Sequence, residues 1–420
     1  MSASAVSFAW AALLLAALTL QLWLIGRQIR HVAAHRDTVP AAFAGTVTLE
    51  AHRKAAAYTI ARNRLALVQA GVAAVVALGW TLLGGLDTLN RAVAASTAAA
   101  WGPLGYQLAL LVAVSLVGGL IDLPLSWYET FRLEQRFGFN RMTLRLWAGD
   151  LLRQTLLSAV LGLPLAALVL WIMSAAGAGW WIWAWCAWAA FVLAVQAIFP
   201  TFIAPLFNRF EPLQDEGLKA RVSALMQRCG FRSRGFFVMD GSRRSAHANA
   251  YFTGIGSSRR VVFYDTLLQR LGHGEVEAVL AHELGHFRHR HVPMRLATLL
   301  ATSAAALALL GWLSSQAAFY TGLGVQPLLG LPNDALALLL FTIVLPHVSL
   351  FVSPLLAQVS RRHEFQADAY ACTQSSPADL RSALLKLYED NASTLTPDPL
   401  YVRFHYSHPP ASERLAALPR

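Results

Sequence analysis

Seven stretches of this chain are apolar: residues 5–25, 65–86, 104–125, 155–173, 180–199, 296–319 and 335–359. As helices rising about 1.5 Å per residue, stretches of this length cross ~30 Å of hydrocarbon. A chain in lipid must satisfy its own backbone hydrogen bonds, so these stretches are expected to be transmembrane helices. Composition points the same way. Of 420 residues, 56% are hydrophobic and 14% charged, against about 25% charged in soluble domains. The expectation is an integral, multi-pass membrane protein.

Basic residues gather on alternate connections. Arg27, Arg30, Arg36, Arg53, Lys54, Arg62 and Arg64 follow the first stretch, and Arg132, Arg136, Arg141 and Arg145 follow the third. The connection 174–179 is uncharged, and the one between the last two stretches lacks Lys and Arg. The positive-inside rule puts the basic side in the cytoplasm and the N-terminus outside. No base precedes residues 5–25 and two arginines follow them, the reverse of a secretory signal, so an uncleaved anchor is expected. The net charge of +11 then suits anionic lipid headgroups, not nucleic acid. Cys186, Cys229 and Cys372 are too scattered for a disulfide framework or a cysteine metal site. The expected organisation is 1–204 with five spans, a polar catalytic domain at 205–295, two spans within 296–359, and a C-terminal segment 360–420. Asp122 and His347 lie inside apolar stretches. Asp122 either marks a span end or has a function. His347, after Pro346, either lines a polar cavity or satisfies backbone groups freed by the proline.

The polar block reads α+β. Residues 218–229 show helical periodicity, with Leu218, Val222 and Leu225 on one face. Residues 236–239, 250–252 and 261–264 read as short strands, the last two joined by a Gly- and Ser-containing hairpin connection over 253–260. Next comes His282-Glu283-Leu284-Gly285-His286, the pattern HExxH. On a helix, residues four apart share a face, so both imidazoles reach one metal ion, and Glu283 is offset towards its water. Acids at Glu275 and Glu277 and bases at Arg288 and Arg290 suit the helix dipole.

Two histidines do not complete a hydrolytic zinc site, which uses three protein ligands and one open position. His289 and His291, three and five residues past His286, are not at the spacing of a third helix-turn histidine ligand, and His289, one turn on, points away from the metal. Beyond the last span, Arg361-Arg362-His363-Glu364-Phe365-Gln366-Ala367-Asp368 places Glu364 and Asp368 four apart on one face. One of the two can bind the metal while the other orients a ligand histidine.

HELGH, RRHEFQADAYA and the C-terminal HYSHPP with ERL resemble the type I CAAX prenyl endopeptidases, integral-membrane zinc metalloproteases. LPLSWYETFRLEQRFGFN, FPTFIAPLFNRFEPL, GSRRSAHANAYFTG and VVFYDTLL are similar too. The resemblance covers nearly the whole chain. It implies seven transmembrane helices enclosing a chamber, with an inserted α+β zincin-like catalytic domain. It implies one Zn2+ per chain held by His282, His286 and Glu364, with Glu283 as general base and Asp368 as a supporting partner. It implies that His408 donates to the oxyanion and that Arg414 sits close to the site. Asn249, Ala250 and Tyr251 match the segment that holds substrate as an added strand. The partners implied are a peptide or protein substrate and the bilayer, with no nucleic acid. The chain is expected to be monomeric, in a bacterial inner membrane, with its site on the cytoplasmic side.

Substrates expected are membrane-associated proteins, including C-terminal CAAX-type prenylated ones. A quality-control metalloprotease without prenyl specificity is the alternative. A non-catalytic membrane chamber or scaffold is a further one, against which the intact Glu283 and ligand set argue.

Overall fold

The computed structural model describes residues 2–231, 235–247, 250–253 and 260–419, with backbone alone at 251–253. Hydropathy marks where a helix meets lipid, not where it ends, and the first two helices show the difference. α1 (Ala3–His35) runs well past residue 25. α2 (Leu49–Trp80) begins well before residue 65, because Thr48 caps it by accepting from the Ala51 amide. Arg53, Lys54, Arg62 and Arg64, expected in a loop, therefore lie on a helix. α3 (Gly85–Tyr128) is two helices end to end, broken at Gly102 (φ 67°) ahead of Pro103. It continues as a π-helical turn over Glu129–Glu134.

α4 (Leu144–Ala175) and α5 (Trp180–Ile198) form a hairpin. α6 (Glu216–Arg228) and α7 (His273–Arg288) belong to the polar block. α8 (His291–Ser314) ends before residue 319, and Phe319 sits instead on a short helix, Ala317–Gly322, packed against α1. α9 (Asp334–Gln374) is a single helix that runs from the seventh apolar stretch past Glu364 and Asp368. α10 (Pro377–Asp390), α11 (Pro399–His405) and α12 (Ala411–Ala417) complete the tail. Among the described residues, seven helical stretches are long and apolar enough to cross a membrane: α1 to α5, α8 and α9 with their short extensions.

These spans bury little against one another. The most apolar windows of α3 and α8 are only 6% buried, and that of α9 33%. Most of the remaining residues in these windows are half-buried, so each helix packs on one side and turns the other outward.

The polar block holds a four-stranded sheet in the order β1-β2-β4-β3: β1 (Phe210–Pro212), β2 (Phe236–Met239), β3 (Ala250–Thr253) and β4 (Arg260–Tyr264). β2 and β4 are parallel and the other pairs antiparallel. The expected hairpin is present as a β3–β4 pair with Thr253 opposite Arg260; its connection, 254–259, lies outside the described residues. β3 ends the sheet, so among the described residues one side of its backbone ladder has no strand beside it. Phe263, Val222, Leu225, Leu280 and Leu284 form the core beneath, and Ala371 of α9 closes it. A second core around Leu86, Leu110, Leu336 and Leu340 joins the other end of α9 to α3.

Ion pairs on buried acids tie the polar block and the tail to the spans. Arg244 binds Asp150 of α4 through two nitrogens, at 2.8 and 3.1 Å. Arg27 of α1 holds Asp398 at 2.9 Å, and Asp398 caps α11. Of the two ionisable groups inside spans, Asp122 is exposed. His347 Nδ1 lies 3.1 Å from Ile343 O and its ring packs edge-on against Trp10.

Candidate metal centre

HExxH sits on α7, which starts with Gly272 donating its amide to Glu275 Oε2 at 2.7 Å and ends at Arg288. Its inner face is packed against the far end of α9. A Cβ on Gly285 would meet Ala367 Cα at 2.8 Å, so only glycine admits so close an approach. This contact brings the side chains of His282, His286 and Glu364 together. One potential ligand atom from each lies within 4.8 Å of the others, and all three residues are buried.

The surroundings set the state of each histidine. His282 Nδ1 is 2.8 Å from Asp368 Oδ1, an acceptor, so the proton is on Nδ1 and Nε2 turns to Glu364, 3.5 Å away. Asp368 is gripped in turn by Arg414, at 2.8 and 2.5 Å. His286 Nδ1 is 3.0 Å from His291 Nδ1, and His291 Nε2 is 2.9 Å from Gln366 Oε1. Gln366 accepts from His291 Nε2–H, so His291 Nδ1 accepts from His286 Nδ1–H. His286 Nε2 is thereby left as a lone pair, 3.4 Å from Glu364 Oε1. His363 stacks on His291 with centroids 3.9 Å apart and holds its ring flat.

These residues fit a metal cation. Both Glu364 oxygens are buried with no well-formed hydrogen bond, although His408 Nδ1 lies 2.8 Å from Oε2. The two Nε2 atoms face each other at 3.3 Å. Two lone pairs and a carboxylate so gathered are stable around a positive charge. Burial opposes a proton on His282, but hydrogen bonds to Asp368 and Glu364 outweigh it and push its pKa up to about 9. The same carboxylates favour a divalent ion in the proton's place. Burial, with the charge of His282, pushes His286 down to about 3, a neutral ligand. Burial also raises the Glu283 carboxyl.

Glu283, His282, Glu364, His408, Arg414 and Ala250 line one cavity of about 790 Å³. His408 arrives on the tail, which Arg361 anchors through the carbonyls of Val402 and Tyr406, at 3.1 and 2.7 Å. Tyr388 donates to Pro409 O at 3.1 Å. Every expected site residue among those described is therefore at the cavity or in contact with a ligand, except that only backbone is described at Tyr251; Asn249 lies outside the described residues. The sequence reading missed His291 and Gln366. Spacing alone does not reveal that His291 supports His286. Gln366 stands between Glu364 and Asp368, in a stretch read only for its acids.

A buried triad of metal-ligand type beside a cavity carboxylate, on a scaffold of membrane helices, defines a membrane metallopeptidase. Comparison with known proteins agrees. Residues 28–209 match the CAAX prenyl protease N-terminal family, five membrane helices, and residues 212–420 match peptidase family M48. A CAAX prenyl protease 1 homolog of Arabidopsis thaliana is 34% identical over 410 residues, 91% of this chain and 90% of that protein. CAAX prenyl protease 1 of Saccharomyces cerevisiae is 37% identical over 333 residues, 75% and 72% of the two chains. The crystal structure of S. mikatae Ste24p aligns at TM-score 0.91 over 99% of both chains, with 30% identity. The chain belongs to peptidase family M48, as an integral-membrane metalloendopeptidase.

Proposed function

We propose that the chain is a zinc endopeptidase that cuts membrane-associated proteins, its substrates being CAAX-type prenylated ones as the names of its relatives suggest. The observation that carries this is the convergence of His282, His286 and Glu364 at a cavity shared with Glu283 and His408. Two imidazoles and a carboxylate with one position free are the donor set of hydrolytic zinc sites. Bound there, zinc supplies Lewis acidity that polarises the scissile carbonyl and makes water nucleophilic near neutral pH.

The protein groups do the rest. Glu283 takes a proton from the attacking water and passes it to the leaving amine. His408, on the cavity wall, donates to the carbonyl oxygen as its charge grows. Asp368 and Arg414 hold His282 in register. The outer edge of β3, at Ala250 and Tyr251 with Asn249 just before it, takes the substrate as an added strand. The basic residues flanking the spans support a cytoplasmic site and a charge that meets lipid, not nucleic acid; a bacterial inner membrane and a monomeric chain complete the proposal. The polar block 205–295 and the tail 360–420 act as one catalytic unit divided by two spans.

The test compares a farnesylated CAAX peptide with its unprenylated twin, using purified wild type and Glu283→Gln. Wild type should cut the farnesylated peptide faster, and Glu283→Gln should lose at least a hundredfold, the order expected of a general base. Equal rates for the two proteins would remove the catalytic assignment. Equal rates for the two peptides would remove prenyl specificity and leave a quality-control protease.

A further inference from the structure

Arg64, Arg132 and Arg136 line one groove of about 550 Å³ between α2 and α3, away from the metal cavity. Arg64 immediately precedes the apolar stretch of α2. Arg132 and Arg136 follow that of α3, on the π-helical turn and the helical turn after it. Tyr128, Arg132 and Arg136 are spaced by four, so they fall on one face, and all three border the groove. Among the described residues, none of the three guanidinium groups is in an ion pair. Glu134, on the same helical run, accepts from the Tyr58 hydroxyl at 2.5 Å, and Glu129 borders a separate pocket that also reaches His408. Arg132 and Arg136 are held over the rings of Trp127 and Phe137, at 5.7 and 5.6 Å. The rest of the groove is aliphatic, with Leu65, Val68 and Leu125 on the first apolar turns. Val68 is 54% exposed.

The groove is thus cationic at the membrane boundary and apolar on its membrane side. A free phosphate would use only the first half. We infer that it binds one anionic phospholipid, with the phosphate on the three arginines and an acyl chain along Leu65, Val68 and Leu125. The arginine fork suits a phosphate's paired oxygens, and cations at this depth draw anionic headgroups.

The experiment uses the full chain purified in neutral detergent, as wild type and as the triple Arg64→Gln, Arg132→Gln, Arg136→Gln. Each is titrated with phosphatidylglycerol, phosphatidylcholine or glycerol phosphate, and bound lipids are counted by native mass spectrometry. Wild type should retain one phosphatidylglycerol at least tenfold more tightly than phosphatidylcholine, and glycerol phosphate should not compete. At on the order of fivefold per arginine, the triple should bind roughly a hundredfold more weakly, with metal content unchanged. Equal retention by both proteins, equal retention of both lipids, or saturation by glycerol phosphate would overturn the inference. If the triple does not fold, the three single variants should each lose about fivefold; three unchanged singles would overturn it equally.

Discussion

A Cβ on Gly285 would lie 2.8 Å from Ala367 Cα and 3.0 Å from Ala367 O. The histidine helix and the Glu364 helix therefore touch backbone to backbone at the metal centre. Gly285→Ala gains up to about 1 kcal/mol of helix propensity but must push α7 and α9 apart at a cost of about 1–3 kcal/mol. The expected result is a lower melting temperature and, more sharply, weaker retention of metal against a chelator. A variant that matches wild type on both would show that the two helices have slack.

Asp368 stands between His282 and Arg414, accepting from both. Asp368→Ala frees the His282 ring and should weaken metal binding by about 10–100-fold. Arg414→Ala leaves a buried carboxylate short of its cation, so its larger effect should be on stability, about 3–5 kcal/mol. Chelator competition and urea denaturation would separate the two effects, and the reverse ordering would contradict these roles.

His291 touches no ligand atom of the proposed zinc, yet it fixes the tautomer of His286. His291→Ala should lower metal affinity about tenfold while the melting temperature of the metal-free protein moves little. Unchanged affinity would mean that packing alone orients His286.

Burial raises the Glu283 carboxyl. Glu283 must be ionised to accept a proton, so kcat/KM should rise with pH through this raised value. The acid limb is expected above the ordinary glutamate range of about 4.3. An acid limb at or below that range would assign the titration to another group.

Much of this was legible before any coordinates. Long apolar runs have few alternatives to spanning helices, and HExxH reads as a helix face because its two histidines are four residues apart, between an acidic start and a basic end. Glu364 and Asp368 could be paired by their spacing but not told apart, since both acids share the face. Helix ends were the least legible. His35 and Leu49 bound α1 and α2 far outside the apolar runs, because arginine and lysine sustain a helix as well as leucine does. The strand Phe210–Pro212 escaped notice, being three residues ending in proline with no alternation to read. The His286–His291 contact depends on Arg290, which takes the left-handed conformation (φ 58°) and swings α8 away from α7. No residue pattern announces such a bend at an arginine.

α9 joins the seventh span to Glu364 without a break. During synthesis HExxH leaves the ribosome two spans before Glu364, the third ligand proposed for it. A half-made chain carries the two histidines but not the carboxylate, and the carboxylate comes into position only as the last span is threaded into the bilayer. On the proposed ligand set, a chain that stops short of α9 should hold no metal at this site and cut no peptide.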